Sequence, residues 1–409
     1  MKPVTAPPIA ATSETLRADV IVVGGGLVGA SAAFFLRKRG LSVILLERGL
    51  VGQQASGTNF GNVRRQGRAL AQLPLAARAR DIWGQLPALL GEDAEFLDSG
   101  HLRVCYSEEQ AEDFARYAVD AKPYGLNLEV MGAAELRRRY GLFGPEVLAG
   151  SLSAVDGHAN PRLAGPAFGR GARRVGATVL EHTEVLRVER EGGDFLVHTQ
   201  HPAGGEGPRC RAPQLLVATG AWGNRIASAF GEPVPIVAHG PQMGVTEPLP
   251  YAIGPAIGVT TRNVTEGMYF RQVKRGNIVF GGGPKGPAYA DRLRAYVEPT
   301  NTLNQLQQLR RLAPALGGLQ LIRTWSGIEG YLQDSKPVLG PSAKVDGLYY
   351  AFGFCGEGFA IGPGIGDSIA ELIATGQTAT PYPDSHIGRF AVAEAAACAR
   401  KTRQLDQPA

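Results

Sequence analysis

A chain of 409 residues, 44 % hydrophobic and 19 % charged, is long enough for about two to three domains with sizeable buried cores. Its net charge of +5 is spread along the length, with arginine-rich spots near Arg64, Arg137 and Arg310. The absence of one basic block with readout elements argues against nucleic-acid binding. The four cysteines, Cys105, Cys210, Cys355 and Cys398, have no CxxC spacing for zinc or an iron–sulfur cluster, so no metal is expected and a reduced cytoplasmic setting fits.

Residues 1–17, rich in Pro, Ala, Thr and Ser, read as a disordered leader without the apolar stretch of a signal peptide. The apolar run 20–36 is broken by Gly24, Gly25, Gly26 and Gly29, which makes it a poor membrane span. It reads instead as a buried strand at 19–23, a glycine turn and an Ala-rich helix over 27–39 closed by Gly40. A second buried strand at 41–46 ends at Glu47, and continuous apolar strands alternating with a helix predict a parallel sheet covered on both faces. A loop at 53–68 follows, then helical stretches at 73–90 and 107–121. Strands are expected at 180–189, 195–199 and 214–218, the first two joined by the Gly192–Gly193 turn. Further strands fall at 268–272 and 276–280, a helix at 304–312, a late strand at 348–352 and a last helix at 364–375. Dinucleotide-type pieces thus lie at both ends and in the middle, with a different kind of sequence interleaved.

Gly24-Gly25-Gly26-Leu27-Val28-Gly29 is a GxGxxG pattern set between strand and helix, and Glu47 follows Gly29 by 18 residues, with Arg48 beside it. Gly24 makes the tight turn, Gly26 lets the backbone approach a pyrophosphate, and Gly29 lets helix and strand pack closely. The helix N-terminus receives the negative charge, and Glu47 accepts from ribose hydroxyls. The pattern calls for a dinucleotide. Its position near the start of the chain, with the 53–68 loop to cover a long ligand, favours FAD over NAD.

Further along, Ala55-Ser56-Gly57-Thr58-Asn59-Phe60-Gly61-Asn62, Asp156-Gly157-His158-Ala159-Asn160-Pro161, Gly220-Ala221-Trp222, Trp325-Ser326-Gly327 through Asp334, Pro337 and Gly340, and Gly353-Phe354-Cys355-Gly356-Glu357-Gly358-Phe359 stand in order. With the fingerprint, they make the chain resemble the D-amino-acid oxidase superfamily of FAD-dependent oxidoreductases over residues 18–375. Within it, the flavin subunits of hydroxyproline dehydrogenases and opine oxidases are the nearest in pattern. The resemblance implies an α/β fold: a discontinuous Rossmann-like FAD-binding domain (18–105, 151–232, 325–380), an interleaved α+β substrate domain on a mixed sheet (106–150, 233–324), and a tail at 381–409. It places Ser56, Gly57, Asn59, Gly61 and Asn62 around the flavin, Val185 by the adenine, and Gly220 and Trp222 in the turn after a strand. Gly353, Gly356, Glu357, Gly358 and Phe359 then fall in the glycine turn at the flavin's pyrimidine end. Gly327 occupies the position where single-chain sarcosine oxidases carry a flavin-linking cysteine, so FAD is expected to be non-covalent.

The same resemblance implies oxidation of a small amino or imino acid, a hydride passing from the carbon bearing nitrogen to flavin N5 to leave an imine. Where several members carry a carboxylate-binding arginine, this chain has Glu329, suited to a substrate ammonium or a second basic group. Arg64 and Arg271 are then the candidates for the carboxylate, with Tyr269 and Tyr331 lining the pocket. The strand 276–281 lacks the lysine that sarcosine oxidases use towards oxygen, which favours a dehydrogenase passing electrons to a quinone or protein acceptor. An oxygen-using oxidase of a secondary or N-methyl amine, or a non-catalytic FAD electron-transfer subunit, are the alternatives. Any iron–sulfur or second flavin site belongs to a separate subunit of a hetero-oligomer.

Overall fold

The computed structural model describes residues 15–391, so Cys398, nearly all of the expected leader and the tail beyond 391 lie outside the described residues. Six strands form the nucleotide sheet, in the order Val338–Pro341, Leu348–Phe352, Gln214–Val217, Val20–Val23, Val43–Leu46 and Thr178–Leu180. All neighbours are parallel except the first pair. Val20–Val23 and Val43–Leu46 are buried throughout, as strands covered on both faces must be.

Alternation divides their side chains between two cores. Val20, Val22 and Leu45 face the helices Leu27–Lys38, Leu73–Gly84, Pro161–Arg174 and Gly358–Thr375, while Ile21, Val23, Ile44 and Leu46 face Phe195, Val197 and Cys210. The second cover is therefore a sheet, ordered Leu16–Arg17, Cys210–Ala212, Asp194–Gln200 and Glu184–Glu191. The last helix begins at Gly358, six residues before its expected start. Its glycines and Pro363 read as a turn in sequence, yet they let the helix lie against Leu27–Lys38. A Cβ at Gly366 would collide with Ser31 Oγ and stand 2.8 Å from the Ala32 nitrogen.

Eight strands form the second large sheet, ordered Leu321–Ser326, Gln242–Pro248, Asn277–Gly282, Met268–Gln272, Ala256–Val259, His101–Cys105, Ala149–Ser153 and Glu129–Gly132. Only Ala256–Val259 and His101–Cys105 run parallel as neighbours. One face buries Leu102, Val104, Ile257, Phe270, Ile278 and Phe280 against Leu309 and Leu312 of the helix Pro299–Leu312. The other turns His101, Arg103, Gly258 and Tyr269 towards a cavity. His101–Cys105, Ala149–Ser153 and Leu321–Ser326, at the expected domain boundaries, all pair in this sheet; we propose that the interleaved division holds with those three strands on the substrate side. A four-stranded sheet, Arg294–Ala295, Gly286–Tyr289, Val237–Gly240 and Glu329–Tyr331, closes one end.

Gly366→Val would force the two buried helices apart and should lower stability by about 1–3 kcal/mol, read as a fall in Tm on thermal denaturation.

Candidate active site

The strand Val20–Val23 ends at Gly24, whose φ of +102° and lack of a side chain are both required: a Cβ there would lie 2.5 Å from the Ala218 carbonyl oxygen. At Gly29 a Cβ would collide with the Gly24 oxygen. This contact aims the N-terminus of Leu27–Lys38 into a groove of about 200 Å³. The helix has no acidic residue in its first turn and no side-chain cap from Gly26; the Ser56 hydroxyl accepts from the Leu27 N–H at 2.8 Å. Glu47 fixes the turn, accepting from the Gly25 N–H at 2.7 Å and the Gly49 N–H at 2.8 Å. The Arg48 guanidinium stacks on Trp222 at 4.6 Å, and Trp222 Nε1 donates to the Ala290 oxygen at 2.9 Å.

Gly24, Gly26, Leu27, Val28, Glu47, Arg48, Ser56, Val185, Gly220, Trp222, Gly356, Gly358 and Phe359 all line this groove. Thr219 lines it too, with a buried hydroxyl that has no partner. Bare glycine backbone, a helix start with no acidic residue, the Glu47 carboxylate on the lining and an orphaned hydroxyl fit a dinucleotide.

Asn59, Glu329, Gly356 and Phe359 also line a second cavity of about 370 Å³, so groove and cavity are continuous. The 55–62 loop lines both. Asn59 Nδ2 donates to the Ala55 and Ser56 oxygens at 2.9 Å, and its Oδ1 accepts from the Gly61 N–H at 2.8 Å. Trp325 Nε1 donates to the Thr58 oxygen at 2.7 Å, and a Cβ at Gly327 would collide with Thr58 Oγ1. Gly327 thus seats the loop. Gly61, Asn62, Arg64, Tyr269, Tyr331 and Glu357 line the cavity, the Asn62 Oδ1 without a partner. Gly29, Gly327 and Gly353 line neither space.

One group of the side chains that line the cavity is acidic. Tyr331 donates to Glu329 Oε2 at 2.8 Å, and the exposed Lys285 places Nζ 3.9 Å from the Tyr331 ring centroid. Burial pushes the Glu329 carboxyl up, against the Tyr331 hydrogen bond and the Lys285 charge. Tyr269 packs edge-on to Phe60 with centroids 4.7 Å apart, and burial raises its hydroxyl. A second group is three arginines. Arg64 and Arg68 reach Glu357 at 3.2 and 2.6 Å and, against its burial, hold that carboxyl below its ordinary range. Arg103 has no hydrogen bond or ion pair among the described residues; burial, then Arg64, lowers it to about 10, leaving it charged at neutral pH. Burial and the three arginines keep His101 neutral.

Arg271 is not brought into this set. Its Nε donates to the Phe60 oxygen at 2.7 Å and its Nη1 lies 3.1 Å from His158 Nδ1, behind the loop. Burial drives His158 to about 3, so this neutral ring accepts from Arg271. Gly57 and Arg271 line a separate cavity of about 300 Å³ there.

Sequence reasoning missed Arg68, Arg103 and Lys285. The alternation of 101–105 could have found Arg103, since sending Leu102 and Val104 into the core turns His101 and Arg103 to the cavity. Lys285 sits three residues past the strand Asn277–Gly282, which itself lacks a lysine.

A glycine-lined nucleotide groove opening into a charged, part-buried cavity defines a dinucleotide-dependent enzyme. Residues 19–372 match the family described as FAD dependent oxidoreductase, and the chain belongs to it. It is an oxidoreductase with FAD as its cofactor. It is 27 % identical over 391 residues to a glycine oxidase of Geobacillus kaustophilus, covering 92 % of this chain and 100 % of that protein. It is also 27 % identical to an opine oxidase subunit from Agrobacterium tumefaciens, over 88 % of this chain and 94 % of that protein. Among solved structures, L-proline dehydrogenase from P. horikoshii superposes with a TM-score of 0.85 at 27 % identity, covering 93 % of this chain and 99 % of that one. Among the described residues no helix is long and apolar enough to cross a membrane.

Gly24→Val combines a forbidden φ with a backbone clash, so the purified protein should lose most of its flavin absorbance per chain. With Gly327 at the position of a linking cysteine, acid precipitation should release all flavin to the supernatant; flavin retained in the pellet would show a covalent bond.

Proposed function

We propose that the protein oxidises a small amino or imino acid at the carbon bearing nitrogen and passes the electrons to an acceptor other than oxygen. The supporting observation is the mixed charge of the cavity that continues the nucleotide groove, lined by the hydrogen-bonded Glu329 and Tyr331 and by an excess of arginine. FAD, when bound, supplies the hydride acceptor.

Glu329 attracts the substrate ammonium, and its raised affinity for a proton suits it to take one from that nitrogen, freeing the lone pair. The Tyr331 hydroxyl holds the receiving Oε2 in place. Arg64, which lines the same cavity, orients the substrate carboxylate, so the Cα–H is presented by its two charged neighbours. Tyr269 and Phe60 pack as an aromatic wall that limits water. The C–H bond breaks with its electron pair, the nitrogen lone pair forms C=N, and the imine hydrolyses after release.

A second reading is an oxygen-using oxidase, and Lys285 is the observation that favours it, because it puts a cation in the cavity beside Glu329 and Tyr331. Turnover in air without an added dye, with peroxide formed at the same rate, would select the oxidase; turnover that needs a dye or quinone selects the dehydrogenase. The relatives named as subunits support a further proposal, that the electron acceptor is held by a separate subunit.

Protonation at low pH removes the Glu329 charge, so kcat/KM should fall on the acid side with a midpoint above the ordinary carboxylate range. Glu329→Gln should flatten that limb and lower kcat/KM about 100-fold with FAD content retained, whereas Arg64→Ala should chiefly raise KM.

A further inference from the structure

Resting on the reading of an amino or imino acid substrate, we propose that the substrate carries a second carboxylate and that Arg103 receives it. The cavity's charges do not balance around a simple amino acid. Among the side chains that line the cavity, Arg64, Arg68 and Arg103 present three guanidiniums against Glu357, which leaves two positive charges in that group. One substrate carboxylate would neutralise one of them. The remaining charge falls on Arg103, which alone of the three has no hydrogen bond or ion pair among the described residues. A cation enclosed and unpaired in this way is costly unless a ligand completes it.

Its position separates it from a merely packed arginine. The guanidinium lies 5.6 Å from the Phe114 ring centroid, and a Cβ at Gly67 would touch it, so ring and loop hold it in one direction. Gly67 has a φ of +73°, which carries the loop around the side chain. The strand order sets the spacing: two strands, Ala256–Val259 and Met268–Gln272, lie between His101–Cys105 and Asn277–Gly282. Three inter-strand steps make roughly 14 Å from the Arg103 strand to the strand that leads into Lys285. Tyr269 stands one step from the strand that leads into Lys285 and two steps, about 10 Å, from the Arg103 strand, a span that suits a side chain or nitrogen substituent ending in an acid.

The test compares matched pairs: sarcosine with iminodiacetate, and 2-aminopentanoate with glutamate in both chiralities. Each is mixed anaerobically with the FAD-loaded protein, and flavin bleaching gives the apparent kcat/KM. The diacid should exceed its partner at least tenfold in one pair. Arg103→Gln should cut that ratio tenfold or more, and Arg103→Lys should recover part of it. A packing role would lower both members of a pair alike and leave the ratio unmoved. Equal handling of both members by the wild-type protein, or a ratio unchanged in the variants, overturns the proposal. If no member of either pair bleaches the flavin, the amino-acid reading itself has failed. Titration with succinate and butyrate, read by perturbation of the flavin spectrum, then decides the anion site alone. Tighter succinate binding that is lost in Arg103→Gln upholds it, and equal binding overturns it.

Discussion

The contact between Gly29 and the Gly24 carbonyl oxygen is the constraint on which the molecule turns. No side chain fits at either residue, so the first strand and the first helix meet at a distance that only bare backbone permits. From that contact follow the direction of the helix, whose start lines the groove, and the place of Glu47, which accepts from the Gly25 N–H beside it. The last helix repeats the device. Gly362 and Gly366 bring it against Leu27 and Ser31, so the helix that follows the closing turn packs directly on the helix that starts at the groove.

The 55–62 loop makes a second boundary. On one side lies the continuous groove and charged cavity; on the other lie Arg271 and His158, bonded to each other and to the loop backbone. Arg271 therefore acts on the loop from behind, and its burial reflects support of the Phe60 carbonyl oxygen. Two arginines that look equivalent in sequence are thus divided by a wall eight residues long, with Arg64 in the cavity and Arg271 outside it.

Much of this was legible from local pattern. The buried strands at 20–23 and 43–46, the glycine turn, Glu47 and the 353–359 turn all depend on short-range geometry, and the structure brings them to one groove. What was not legible depends on long-range packing. The second cover of the nucleotide sheet is another sheet, because Phe195, Val197 and Cys210 come from a hairpin far along the chain. The last helix starts early, because burial against Leu27–Lys38 outweighs the low helix propensity of its glycines. Arg103 stands beside Arg64 because Gln66 of the loop bonds His101 Nδ1 at 3.0 Å and the Ser151 oxygen at 3.2 Å, contacts that no local pattern announces.

The interleaving of the chain also has a consequence for the order of synthesis. The groove takes its walls from residues 24–28, from Val185, from Gly220 and Trp222, and from Gly356 to Phe359. During translation the N-terminal half emerges with its glycine turn formed but without the closing turn. The cofactor site is completed only when Phe359 has left the ribosome, so its first and last walls are separated in synthesis by more than three hundred residues.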